Sequence, residues 1–121
     1  MPTKDQHIQK AERNEKFAKR IAENTGYFDW AVTVLFYAGL HYIDAVLAVS
    51  RIDPHKHEER QDSIQKNDTL RRVYSEYRML ETLSRNARYY AVEIDANDWH
   101  AADVEFNALR AHLRTRMNLP G

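Results

Sequence analysis

The chain has 121 residues, no cysteine, three glycines and three prolines, and 18 Lys plus Arg balance 18 Asp plus Glu. That length fits a single domain, residues 1–121, able to bury one core, and the lack of thiols excludes disulfides and thiolate metal sites. A net charge of zero provides no global field for nucleic acid or membrane, so any basic surface has to be local.

The first residues, MPTKDQHIQK, lack the apolar run of a signal peptide, and a cytoplasmic location is expected. Thr3 and Gln6 have the spacing of a capping box and open a predicted helix with Ile8, Ala11, Phe17, Ala18 and Ile21 on one apolar stripe. Its other faces carry Lys10, Arg13, Lys16, Lys19 and Arg20 against Glu12, Glu15 and Glu23, a pattern expected of a solvated surface with mixed-sign pairs. Gly26 suits a left-handed C′ position, which places the end of this helix near residue 24.

The stretch Trp30–Val49, WAVTVLFYAGLHYIDAVLAV, contains only Thr33, His41 and Asp44 as strongly polar residues. A helix apolar on every side belongs in the middle of a bundle. An imidazole and a carboxylate inside the run argue against a membrane span. The predicted helix runs from about Phe28 to Ser50, with Leu35, Ala38, Gly39 and Tyr42 among its deepest positions. Gly39 costs about 1 kcal/mol relative to alanine in mid-helix, and a close backbone approach is expected there.

Asp53-Pro54 reads as a cap followed by a first-turn proline, putting His55 and His57 in the first turn of a short helix. Asn67-Asp68 interrupts it. A longer helix then resumes with Leu70, Val73, Tyr77, Leu80, Ser84 and Ala87 at spacings of three and four. The pattern lapses between Tyr90 and Asn97, after which Asn97 or Asp98 is expected to cap a last helix on Trp99, Ala102, Phe106, Leu109, Leu113 and Met117. The expectation is an all-α, up-and-down bundle of four main helices plus one short helix.

Three constellations could carry chemistry. Tyr37, His41 and Asp44 share one stripe of the central helix, where Asp44 could orient His41 for proton transfer, or the three could form a buried polar network. The run Arg51 to Arg60, RIDPHKHEER, sets two histidines beside a helix N-terminus suited to a phosphate; the alternative is a solvated connector. No second cluster has metal-ligand spacing, so neither a metal nor a cofactor is expected. In Ser84 to Tyr90, SRNARYY, Arg88 tracks the edge of the core face and is expected to pair with Asp44 or Glu81, or with a phosphate; arginine beside tyrosine also suits nucleobase stacking. Ser84, Arg85 and Glu81 complete this polar network. The aromatic surplus of Trp30, Tyr37, Tyr74, Tyr89, Tyr90 and Trp99 exceeds what one small core readily buries.

Taken together, DWAVTVLFYAGLHYIDAVLA, PHKHEER and YRMLETLSRNARYY resemble the HEPN superfamily, in particular its small stand-alone prokaryotic members, over roughly residues 5–118. The resemblance implies a helical bundle, usually a homodimer, associated with RNA or nucleotides, often beside a nucleotidyltransferase-type partner or within a toxin–antitoxin or defence system. Catalytic members of the family carry an arginine and a histidine separated by four to six residues. Arg51 and His57, with five residues between them, fit that spacing, although the residue after the arginine is usually polar and here is Ile52. Two functions follow from the resemblance. One is a non-catalytic nucleotide- or RNA-associated binding module. The other is a metal-independent endoribonuclease in which His57 or His41 moves a proton and Arg51, Arg60 or Arg88 neutralises phosphate charge.

Overall fold

The computed structural model describes residues 1–120. Those residues form six helices and no strand: α1 (Lys4–Thr25), α2 (Phe28–Val49), α3 (His57–Lys66), α4 (Asp68–Arg71), α5 (Tyr74–Tyr89) and α6 (Ala96–Arg116). Helix α2 is central and packs against α1, α5 and α6, while α5 also packs on α6. By length and composition α2 could cross a membrane, yet two-thirds of its most apolar stretch is buried against these neighbours. Leu35, Phe36, Ala38, Tyr42, Ile43 and Leu47 are fully buried along it.

The caps of α1 are those its sequence specifies. The Gln6 N–H donates to Thr3 Oγ1 at 3.1 Å, the Thr3 N–H donates to Gln6 Oε1 at 2.9 Å, and Gly26 takes φ 71° after the last turn. One apolar position fails: Phe17 points outward and is 55% exposed, while His7 joins Ile8, Ala11 and Ala18 on the buried side. The charges of α1 do not pair off either. Lys19 and Arg110 both meet Glu15, and no other residue of α1 takes part in an ion pair among the described residues.

Helix boundaries depart from the sequence reading at three points. Asp53 and Pro54 precede α3 without starting it; the N-cap is Lys56, and the His55 N–H donates to Glu59 Oε2 at 3.0 Å, so His55 stays outside the helix. The expected long helix is split, because Val73 adopts φ −113° and ψ 16° between α4 and α5 while its side chain stays in the core. Asn67 acts as predicted, closing α3 and capping α4 through its side chain. The last helix is capped by Asp95 instead of Asn97 or Asp98: Asp95 and Asp98 form a reciprocal capping box two residues upstream of the expected start.

At Gly39 the close neighbours are side chains and not a backbone. A Cβ there would stand 3.3 Å from Leu80 Cδ1 on α5 and 3.9 Å from Phe106 Cδ1 on α6. The tip of a leucine can yield by a few tenths of an ångström, whereas a larger side chain would have to displace both helices. Gly39→Ala is therefore expected to leave the urea midpoint within about 1 kcal/mol of wild type, its gain in helix propensity offsetting the tight contact. Gly39→Leu should lose roughly 1–3 kcal/mol or more by overpacking. An unchanged midpoint for the leucine variant would contradict this packing.

Candidate functional site

Tyr37, His41 and Asp44 lie on one stripe of α2, but at a rise of about 1.5 Å per residue the first and last are roughly 10 Å apart along the axis. Each therefore meets a different neighbour. Tyr37 reaches α5, where its hydroxyl accepts a hydrogen bond from an Arg88 guanidinium nitrogen at 2.8 Å. His41 reaches α1, with its Nδ1 3.1 Å from Nδ1 of His7. Asp44 reaches α3, where Oδ1 and Oδ2 accept from Arg60 Nε at 2.9 Å and Arg60 Nη2 at 3.1 Å. The expected orienting contact from Asp44 to His41 is replaced by this two-pronged bond to Arg60.

The Asp44–Arg60 pair is the most buried ionic contact among the described residues, with only a tenth or less of each side chain exposed. Burial opposes the Arg60 charge, but the hydrogen bonds and charge of Asp44 outweigh that cost and raise its pKa. Tyr77 and Glu81 extend the cluster. Glu81 is buried and accepts from Arg78 at 2.8 Å and from Gln61 Nε2 at 3.2 Å, and the exposed His57 stands 4.0 Å away. Burial, then the Glu81 carboxylate, push the Tyr77 hydroxyl far above its ordinary range, so it stays protonated.

Arg88 pairs with neither Asp44 nor Glu81. Besides bonding Tyr37, it donates to the Ser84 carbonyl oxygen at 3.3 Å, and its guanidinium lies 4.9 Å from the Tyr89 ring centroid and 5.6 Å from that of Tyr37. These contacts hold an arginine at the end of α5, where it lines a cleft with Trp30, Asp29 and Thr33. Ser84 is fully buried with no partner for its hydroxyl, and Arg85 is exposed.

Arg51 is exposed just beyond α2, in the left-handed region at φ 59°. The Ile52 and Arg51 N–H groups donate back to the Leu47 and Ala48 carbonyls, both at 3.0 Å, so Arg51 fills a C′ position that glycine usually takes. Its backbone closes α2. Of the five residues read as catalytic candidates, Arg60 and His57 border one cluster, through Asp44 and Glu81, whereas His41 lies beside His7, Arg88 beside Tyr37, and Arg51 at the helix end.

The sequence carries no local signal of the His7–His41 contact, since nothing near His7 marks it as buried. The ring centroids are 5.3 Å apart with the nitrogens at 3.1 Å, so the rings meet nearly head-on, one nitrogen donating and the other accepting. A second proton has no place in that gap. Burial first, then the charges of His7, Lys10 and Arg60, lower the His41 pKa against the opposing pull of Asp44. No group of three or more metal-ligating side chains gathers among the described residues.

No family model, curated protein or solved structure matches this chain.

Breaking the buried pair from one side leaves an uncompensated charge, so Asp44→Ala and Arg60→Ala should each lose about 3–5 kcal/mol. The double variant Asp44→Leu with Arg60→Met should be more stable than either single one, and additive losses in urea unfolding would count against the pairing. For His41, a folded pKa below the unfolded value means the fold favours the neutral ring. Its contribution is present above about pH 6.5 and is lost as pH falls through the folded pKa. His41→Gln should flatten the decline in urea midpoint between pH 7.5 and 5.5, and an identical slope in both proteins would refute the assignment.

Proposed function

We propose that this chain is a non-catalytic, RNA- or nucleotide-associated binding module of the HEPN type, built on an up-and-down bundle of α1, α2, α5 and α6 with α3 and α4 as a connecting arm. The observation that carries the non-catalytic reading is that three of the five candidate side chains, Arg60, Arg88 and His41, are already engaged by other groups of the fold. Arg60 gives two hydrogen bonds to Asp44, Arg88 is held by Tyr37 and the Ser84 carbonyl, and His41 is shared with His7. A ribonuclease needs a free base within reach of the ribose hydroxyl and a cation facing the phosphate. His57 is exposed, and the carboxylate 4.0 Å from it, Glu81, is already bonded to Arg78.

The same reading includes a homodimer. Trp99 belongs to the core, and Tyr37 and Tyr74 are partly buried, which leaves Trp30, Tyr89 and Tyr90 exposed by 59%, 68% and 65%. Trp30 and Arg88 share a cleft, and Tyr89 stacks on Arg88. Tryptophan, tyrosine and arginine together are the side chains enriched at the centres of protein interfaces.

The decisive assay incubates the protein with a labelled RNA pool in the presence of a chelator and follows binding and chain length together. Retarded but intact RNA is the expected outcome. Cleavage that disappears in both His57→Ala and Arg88→Ala, with helicity unchanged, would replace this reading with a metal-independent endoribonuclease. Light scattering should give twice the 14.3 kDa chain mass, falling toward one chain in Trp30→Ala with Tyr89→Ala.

A further inference from the structure

The outer face of α1 carries a charge pattern that the balanced composition conceals. At about 100° per residue, Lys10, Arg13, Lys16, Phe17 and Arg20 fall within an arc about 120° wide. The other residues of that arc are Gln6, Gln9 and Asn24, so it holds four cations, one aromatic ring and no carboxylate. The nearest acidic residues by this angle, Asp5 and Glu23, lie about 20° beyond its edge and Glu12 about 40° beyond it, flanking the cations, while Glu15 is bonded to Lys19 and Arg110. None of the four cations makes an ion pair among the described residues. All four are exposed, as is Phe17, the residue that breaks the apolar stripe of this helix.

An exposed phenylalanine with arginines four residues before and three residues after it lies outside the hydrophobic core of the bundle. The strip is also continuous with a groove of about 530 Å³ at the α1–α2 seam, since Gln9, Lys10 and Arg13 line both, and His41 forms the far wall. Lys10 to Arg20 spans about 15 Å along the axis, enough for a few nucleotides in an extended strand. Cations spaced along one edge of an aromatic ring match a single-stranded backbone whose bases are free to stack, whereas a duplex hides its bases.

We propose that this face of α1 is a docking surface for single-stranded RNA, with phosphates on Lys10, Arg13, Lys16 and Arg20 and a base stacked on Phe17. The assignment rests on the RNA-associated reading above and places its contact surface away from the polar residues of α3 and α5, with His41 of α2 at its border. A neutral chain can bind a polyanion in this way because its opposite charges are sorted by face, so the local potential decides and not the sum.

The test is fluorescence anisotropy of a labelled decauridylate with the full chain over a range of salt. Arg13→Gln and Arg20→Gln should each weaken binding and reduce the slope of log affinity against log salt by about one. Phe17→Ala should weaken binding on the order of 5- to 100-fold with the salt slope unchanged, the signature of lost stacking. Arg85→Gln, exposed on α5, should bind as wild type does. Wild-type binding that ignores the α1 substitutions would overturn this surface while leaving the RNA-associated reading intact. Absence of any RNA binding would sink both, and Phe17-dependent capture of an acidic helical peptide in its place would reassign the face to a protein partner.

Discussion

A helix that is apolar on every side cannot be satisfied by one neighbour, and this constraint on α2 organises the molecule. Helices α1, α5 and α6 each cover part of it, and the amphipathic stripes of those three helices exist to do so. The same burial sets the terms for Asp44. A carboxylate on a buried helix must be met by a cation with well-placed donors, and Arg60 meets it with two. That pair ties α3 to α2, and the neighbouring Gln61 reaches Glu81 on α5.

The polar residues of α2 accordingly act as addresses for different neighbours. Tyr37 engages Arg88 of α5, His41 engages His7 of α1, and Asp44 engages Arg60 of α3. Partnered polar groups of this kind cost more to misplace than apolar ones, so each narrows the set of registers its helix can adopt. The side chains left over for a ligand are then the outward ones. On α1 these are sorted into a strip of unpaired cations around Phe17, and near the start of α2 and end of α5 they are the aromatic rings Trp30, Tyr89 and Tyr90.

The sequence makes the helices legible because their signals are local. Thr3 with Gln6, Gly26, and Asn67 each satisfy or end a backbone ladder within a few residues of themselves. The periodicity of Trp99, Ala102, Phe106, Leu109 and Leu113 likewise identifies a buried face, all five being buried. What spacing on one helix does not encode is which neighbouring helix crosses it at a given height. Tyr37, His41 and Asp44 therefore look like one triplet and are three separate contacts. Phe17 illustrates the converse: it sits four residues before Ile21, an interval that shares a face, but the covered arc of α1 is narrow, and only the position of α2 shows that Phe17 falls outside it. The break at Val73 was illegible for a related reason, because a β-branched residue continues the apolar pattern even where its backbone leaves the helix.

The central claim is a division of labour, in which inward polar groups hold the helices in register and outward cations of α1 meet the ligand. Amide chemical-shift mapping by ¹H–¹⁵N NMR, during titration with a short oligouridylate, tests it residue by residue. The account predicts shifts concentrated between Gln9 and Arg20, with the amides of Asp44, Arg60 and Glu81 unmoved. Shifts centred on Arg51 to Arg60 and on α5, with α1 silent, would contradict it.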